Sequence, residues 1–343
     1  HSCGTHLEQF INHGYLAVDF FFMLSGFVIG YAYDDRWNRM SVGTFFKRRI
    51  IRLQPMVIIG SIVGAAFFYF QKSSCFPAIE NTPVGTVLLI MLLGCTLLPL
   101  PLKWDVRGWT EMHPLNGPAW SLYYEYIGNI LYGLFIRKFN KLALSILVFV
   151  AGCFTVHLCL TAPAGDIVGG WALNWEQQYV GMVRLMYPFF GGLLLSRLGW
   201  LIRTEKRAFW WCSLMIVVVL SIPRIGGEEG FWMNGLYEAI CILFIFPVIV
   251  SMGAGGKVTG KRSTAVCKFL GDISYPVYIT HYPLVYTYTA WVCNNNATMV
   301  EGIPYMILTF VGAFVLAYLC LKLYDEPVRK WLTDRFLKGK KED

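Results

Sequence analysis

The chain has 343 residues, of which 56% are hydrophobic and only 15% are charged, and its net charge is +8. This composition excludes an ordinary soluble domain, in which about 25% of residues are charged. It also argues against nucleic-acid binding, because the Lys and Arg residues of a membrane protein collect in its cytoplasmic loops. We therefore expect an all-α fold, a polytopic transmembrane helical bundle.

Apolar segments recur along the whole chain. Stretches of about 17–22 apolar residues match the ~30 Å hydrocarbon core of a bilayer. They lie at 15–33, 55–71, 84–100, 118–136, 142–161, 179–197, 207–222, 234–252, 272–292 and 303–323. The connecting loops that are rich in Lys and Arg are assigned to the cytoplasm by the positive-inside rule. These loops are 34–54, 137–141, 197–207, 254–268 and 324–343.

One stretch of the chain breaks this alternation of inner and outer loops. Between the outer loop 72–83 and the inner loop 137–141 the chain must cross an odd number of times, yet two apolar segments lie there. We take 84–100 as a re-entrant segment, because two prolines close it and a glycine interrupts it. The segment 118–136 is the open alternative.

The remaining segments predict about nine spans in a single membrane domain. We place this domain at residues 1–332 and a short basic cytoplasmic tail at 333–343. A further helix is expected before His1, since the chain begins without a Met.

The ten cysteines form no CxxC pair and no His/Cys cluster at zinc spacing, so we expect no metal site. Cys3, Cys75 and Cys293 all fall on the predicted outer face. A disulfide between two of them is an open possibility.

Histidines and one acid lie at the outer end of the first span: His1, His6, His13 and Asp19. A neutral histidine is the natural general base near pH 7. A neighbouring carboxylate orients such a base and stabilises its charged form. The alternative is ordinary loop histidines and an Asp that caps or packs a helix.

Four cations precede Pro55 on the first inner loop: Lys47, Arg48, Arg49 and Arg52. Arg52 lies at helical i+3 or i+4 spacing from the other two arginines, so two guanidinium groups can face one way. Arginine binds phosphate through paired hydrogen bonds. The alternative is a simple positive-inside anchor.

An isolated acid, Glu125, lies two turns into a helix that Pro118 begins. Trp120 and Ser121 precede it by one turn, and the three are expected to face a cavity in the outer half of the membrane. A lone acid in an apolar helix is usually functional. The alternative pairs Glu125 with Arg184, another isolated charge in an apolar segment.

The last candidate is His281, within the span that follows the Asp272 and Ser274 helix caps. Pro283 kinks the helix just after it. The histidine is either part of a site or a structural residue bonded to carbonyls freed at the kink.

These blocks, in this order, resemble acyltransferase family 3, the integral-membrane O-acyltransferases that modify bacterial surface sugars and lipids. The resemblance runs from His1 to about Leu332. It is carried by GYLAVDFFFMLSGFVI, FFKRRIIRLQP, NGPAWSLYYE, RLMYPFFGGLLL, LGDISYPVYITHYPL and YDEPVRKWL.

The resemblance implies a set of roles. His1 falls where the family has its catalytic histidine, and the arginine that accompanies it would lie before residue 1. Acetyl-CoA, the usual donor, would bind from the cytoplasm with its phosphates at Arg49 and Arg52, assisted by Lys47 and Arg48. Asp19 and Glu125 join His1 as catalytic candidates. The residues expected to shape the site are Trp120, Ser121, Arg184 and His281.

The acceptor implied is a hydroxyl of a surface glycan or lipid-linked sugar, at the outer face of a bacterial cytoplasmic (inner) membrane. The expected partners are therefore acyl-CoA, this acceptor and membrane lipids, and a homo-oligomer is left open. Two other functions compete: acylation of a small metabolite, and a transporter, which also uses broken helices and intramembrane charges.

Overall fold

The computed structural model describes residues 11–204, 207–226 and 230–337, and these contain helices but no strand. The all-α prediction is therefore confirmed for this part of the chain. The α-helices are α1 (Ala17–Tyr33), α2 (Val42–Phe67), α3 (Val84–Gly94), α4 (Ala119–Leu134), α5 (Lys141–Thr161), α6 (Trp175–Leu198), α7 (Ala208–Ser221), α8 (Phe231–Ile240), α9 (Phe246–Gly255), α10 (Lys261–Thr280), α11 (Tyr282–Asn295), α12 (Met299–Leu319) and α13 (Glu326–Phe336). Short π-helical turns at Cys241–Ile245 and Cys320–Asp325 join α8 to α9 and α12 to α13.

Within the described residues, 6 helical segments are long and apolar enough to cross a membrane. They are Gly14–Arg36, Val42–Gln71, Lys141–Thr161, Trp175–Leu198, Phe231–Gly255 and Met299–Phe336. Helix α3 has 11 residues, which rise about 16 Å and so fall short of the ~30 Å core. The count of nine spans and the re-entrant role of 84–100 stay predictions.

The closest helix crossing brings α1 against α6. A Cβ atom on Gly26 would lie 1.7 Å from the carbonyl oxygen of Phe189, and one on Gly192 would lie 2.0 Å from that of Met23. Small residues allow this approach, as in other membrane helix pairs. The crossing fixes which side chains of α1 face those of α6.

A proline within a helix leaves one backbone carbonyl without its helical hydrogen bond. At Pro283 a side chain from another part of the bundle supplies the missing donor. Pro283 lacks the N–H that would bond the carbonyl of Ile279 four residues earlier. The side-chain amide of Asn116 donates to that oxygen at 2.8 Å. The start of α4 is thereby attached to the α10–α11 kink.

At the predicted outer face, a disulfide joins Cys75 to Cys293. This is one of the pairings that the sequence left open, and it joins the 72–83 loop to the end of α11. At the opposite end, α13 begins at Glu326 and packs beside α2.

Candidate functional site

A chamber of about 900 Å³ opens at the end of the bundle that carries the Cys75–Cys293 disulfide, which is the predicted outer side. We name it the outer chamber. Its walls come from the start of α1, the 102–118 loop, the start of α4 and the α10–α11 kink, with Val168 and Trp171 from a further loop. The aromatic and polar side chains in its wall include Trp109, Glu111, Trp120, Trp171, Arg184 and His281.

A narrower cavity of about 200 Å³, the inner groove, lies between α1, α2, α4 and α10. Its walls are largely apolar, from Val18 and Phe21 down to Val28 and Leu53. The polar side chains in it are Ser25, Arg49, Arg52, Ser121, Glu125, Ser274 and the tyrosines Tyr275 and Tyr278.

A third cavity of about 460 Å³ lies between α2 and α13. We name it the cytoplasmic cleft, after the side on which the sequence places the basic loops. Arg48, Arg52, Arg329 and Lys330 line it, together with the acids Glu326 and Asp334. Arg329 is paired with Asp325 at 2.9 Å. Neither Arg48 nor Arg52 forms an ion pair with any residue that the structure describes.

The three cavities follow one another across the bundle. Arg52 lines both the cytoplasmic cleft and the inner groove. Val18, Phe21 and Tyr278 line both the inner groove and the outer chamber. The Tyr278 hydroxyl lies 2.6 Å from that of Ser121 at this boundary. Residues from the cytoplasmic and outer sides therefore meet at one junction.

Arg184 is bound to Asp19, which corrects the alternative that paired it with Glu125. Its Nη2 donates to Asp19 Oδ2 at 2.7 Å, and its Nε donates to Oδ1 at 3.2 Å. The carboxylate is fully buried, and the guanidinium lies over the ring of Trp120. The reason is the α1–α6 crossing, which turns Asp19 toward α6. Asp19 therefore positions Arg184 at the wall of the outer chamber.

Glu125 pairs instead with Arg49 on α2. Arg49 Nη2 and the Ser25 hydroxyl both donate to its Oε1, each at 2.8 Å. Glu125 and Ser121 face the inner groove while Trp120 faces the outer chamber, so the three side chains do not share one cavity. The depth of Glu125 in the membrane stays a prediction. The Nε of Arg49 is buried with no hydrogen-bond partner in the described part of the chain.

The four cations of the first inner loop separate into different environments. Arg48 and Arg52, one turn apart, line the cytoplasmic cleft, and Arg52 with Arg49 lines the inner groove. Lys47 is exposed and lines none of these cavities. The helical spacing thus brings two arginine pairs onto adjoining surfaces, and their role toward a donor stays a prediction.

His281 lies at the floor of the outer chamber. Its Nδ1 is 2.9 Å from the carbonyl oxygen of Tyr278 and 3.0 Å from that of Val277. Carbonyl oxygens only accept, so Nδ1 carries a hydrogen, and in the neutral ring Nε2 then keeps its lone pair. The carbonyl freed by Pro283 is held by Asn116 rather than by this histidine. One ring nitrogen therefore fixes the ring while the other remains available as a base.

His1 and His6 lie outside the described residues. His13 is buried, with Nδ1 2.9 Å from the Ile222 carbonyl oxygen and Nε2 3.0 Å from Asn234 Oδ1. These contacts assign His13 to packing between α1 and the α7–α8 region. The catalytic role of His1 stays a prediction.

Glu111 is a chamber residue that the sequence did not single out. Its two carboxylate oxygens accept from the Tyr286 hydroxyl at 2.6 and 2.7 Å, and the Arg107 guanidinium lies 3.6 Å away. Burial raises the pKa of Glu111 to about 7, although Arg107 and the Tyr286 hydroxyl lower it. The sequence does contain a signal for this residue: Arg107 and Glu111 are four residues apart in a loop with few other charges.

No group of three His, Cys, Asp or Glu side chains within residues 11–204, 207–226 and 230–337 is placed to hold a metal ion.

Comparison with known families gives the same assignment as the motifs. The model of the family described as an acyltransferase domain, Acyl_transf_3, matches residues 4–321. The chain belongs to acyltransferase family 3. This membership favours the enzyme over the transporter.

Three curated relatives illustrate the likeness. The chain is 23% identical to acyltransferase MdmB of Streptomyces mycarofaciens over 82% of its length and 71% of that protein's. It is 21% identical to O-acetyltransferase OatA of Staphylococcus aureus over 94% of its length, and spans 54% of OatA. It is 32% identical to "Protein 2 in picA locus" of Rhizobium radiobacter over 37% of its length. No solved structure matches the chain.

Proposed function

We propose that this integral membrane acyltransferase moves an acyl group, most simply acetyl, from cytoplasmic acyl-CoA to a hydroxyl of a glycan or glycolipid at the outer face. One observation carries the proposal: the three cavities adjoin from a basic cleft to an outer chamber. In this arrangement a donor from one side and an acceptor from the other meet without either crossing the bilayer. We place the protein in a bacterial cytoplasmic membrane.

The donor half of the proposal uses the two inner cavities. The nucleotide phosphates bind the guanidinium groups of Arg48 and Arg52, with Arg329 and Lys330 opposite, and remain in water. The slim pantetheine arm occupies the apolar inner groove, where Arg49 offers its unpartnered Nε to a carbonyl oxygen of the arm. The thioester then lies near Phe21 and Tyr278, where this groove adjoins the outer chamber.

The acceptor half uses the outer chamber. Three indole rings, from Trp109, Trp120 and Trp171, line it beside Glu111 and Arg184. Aromatic faces with a few convergent polar groups are the usual lining of a site for a bulky organic ligand, and we propose that here they bind sugar rings. OatA is named an O-acetyltransferase and MdmB an acyltransferase, which supports a hydroxyl acceptor.

The chemical step balances without a metal or redox partner. The acceptor oxygen attacks the thioester carbonyl carbon, an ester C–O bond forms and the C–S bond breaks. The hydroxyl proton passes to a base and from it to the departing thiolate, which leaves as the free thiol of CoA. By resemblance to the family the base is His1, and His281 is a residue that shapes the site. From its place in the chamber we propose that His281 also positions the acceptor hydroxyl.

The test compares two charge deletions within two turns of α2. Arg52→Ala should raise the Kd of the purified protein for acetyl-CoA at least about tenfold, because a charge-assisted hydrogen bond is lost. Lys47→Ala removes the same charge outside the cavities and should leave the Kd near wild type. Equal effects of the two substitutions, measured by calorimetry, would refute a specific donor site at Arg52.

A further inference from the structure

A fourth cavity, the lateral groove, opens sideways from the junction of the other cavities. It measures about 340 Å³ and lies between α1, α10 and α12. Its lining is mostly apolar and consists of Phe21, Leu270, Ile273, Ser274, Val277, Tyr278, His281 and Phe314. Leu270 and Phe21 are part of the exposed apolar surface of the bundle. The groove therefore opens toward the hydrocarbon of the membrane.

The lateral groove shares residues with both halves of the proposed path. Phe21, Ser274 and Tyr278 also line the inner groove. Phe21, Tyr278 and His281 also line the outer chamber. Phe21 and Tyr278, whose rings are 6.0 Å apart, thus border all three cavities. In the proposed function the pantetheine arm of a thioester held at this point occupies the inner groove, and the acceptor occupies the outer chamber. The lateral groove is then the cavity left for the acyl chain on the thioester carbonyl carbon.

We propose that the lateral groove binds the acyl chain of the donor, so that the enzyme accepts acyl groups longer than acetyl and selects among them here. The inference rests on the proposed function. The ligand is a straight hydrocarbon chain of medium length attached to CoA. Leu270, Ile273, Val277 and Phe314 border the groove without lining the other three cavities. Substitutions at Val277 and Phe314 therefore change the volume of the lateral groove alone.

The direction of the groove favours the donor's chain over the tail of a lipid acceptor. Along α10 and the kink it extends from His281 back to Leu270, toward the basic end of the helix at Lys261. That displacement is about 16 Å of helix, directed away from the predicted outer face at Cys293. A lipid of the outer leaflet would approach from the opposite end.

The test fills the groove and compares donors of different length. We expect Val277→Phe to lower kcat/KM for hexanoyl-CoA at least about tenfold and to keep that for acetyl-CoA within about twofold, the range that pockets reach for methylene groups. Val315→Phe is the matched control, because Val315 lies on the exposed face of α12 outside the four cavities. It should change neither donor's kcat/KM.

A second variant keeps the inference testable if the first does not fold. Phe314→Ala enlarges the groove and should raise the octanoyl-CoA to acetyl-CoA ratio of kcat/KM. A wild-type enzyme that uses only acetyl-CoA would overturn the inference, as would equal losses for both donors in Val277→Phe. An altered KM for the acceptor alone would assign the groove to a lipid tail instead. Absence of turnover with every acyl-CoA would overturn the proposed function itself.

Discussion

Arg184 donates from two nitrogens to the two carboxylate oxygens of Asp19, and both side chains are at most 2% exposed. Breaking a buried pair by removing one partner leaves an uncompensated charge, which typically costs about 3–5 kcal/mol. The pair therefore holds α1 on α6 and at the same time fixes a cation at the wall of the outer chamber.

Asp19→Asn should accordingly lower the thermal unfolding midpoint of the detergent-solubilised protein by several degrees. The control is Glu326→Gln, which breaks the Lys322–Glu326 pair, whose side chains are 43% and 41% exposed. Exposed pairs contribute little to stability because solvent screens them, so this midpoint should hardly move. Equal shifts for the two variants would show that the buried pair is not structural.

A second prediction concerns the pairing of Glu125 with Arg49. In a double-mutant cycle, Glu125→Gln and Arg49→Gln should be coupled by about 0.5–3 kcal/mol in kcat/KM for acetyl-CoA, because they share one interaction. The cycle of Glu125→Gln with Arg184→Gln is the matched control and should be additive. The reverse result would restore the pairing that the sequence suggested.

Hydropathy predicted the helices better than it predicted their partners. The segment 142–161 corresponds to α5 at Lys141–Thr161, and 179–197 lies within α6 at Trp175–Leu198. The segment 55–71 missed the first turns of α2, which begins at Val42, because a charged stretch is helical here without being apolar. Local sequence carries such elements, since periodicity and composition act over neighbouring residues.

The ion pairs depend on information that the sequence pattern does not contain. Asp19 and Arg184 are 165 residues apart, and their contact is set by the rotation of α1 on α6 at Gly26. The sequence identified Glu125 and Arg184 as isolated charges and offered their pairing with each other as an alternative. Their partners in the structure are Arg49 and Asp19 instead. The sequence did not predict Glu111 as a site residue, because its burial arises from the folding of a loop around Tyr286.

A third prediction follows from the environment of Glu111. Burial raises its pKa in the folded state from 4.5 to about 7. The charge of Asp105 also raises the pKa, whereas Arg107 and the Tyr286 hydroxyl lower it. The contribution of Glu111 to stability is therefore full below pH 4.5 and is lost as the pH rises through 7. The stability of Glu111→Gln should depend less on pH between 5 and 8 than that of wild type.

Unfolding midpoints of wild type and Glu111→Gln across this interval measure the effect. Glu80→Gln, at an exposed acid on the same outer face, serves as the control and should follow the wild-type curve. If the Glu111→Gln curve is also parallel to wild type, the carboxyl does not take up its proton in this range.

A fourth prediction tests the sidedness on which the donor and acceptor assignments depend. In a background without other accessible cysteines, Lys103→Cys should react with an impermeant maleimide from outside, and Lys138→Cys only from inside. Both positions are exposed, so reactivity reports the side rather than burial. Labelling of both from one side would mean that 84–100 crosses the bilayer fully.

The last prediction separates a structural from a chemical role for His281. Asparagine can replace Nδ1 as the donor to the carbonyls of Val277 and Tyr278, but it supplies no base at the position of Nε2. If Nε2 acts on the acceptor hydroxyl, His281→Asn should fold with a midpoint near that of wild type and lose about 10²-fold or more in kcat. A histidine that only secures the kink would be rescued by asparagine, with kcat close to wild type.

His157→Asn, on the exposed face of α5, controls for the substitution itself. Binding of acetyl-CoA should be unchanged in both variants, because neither residue lines the cytoplasmic cleft or the inner groove.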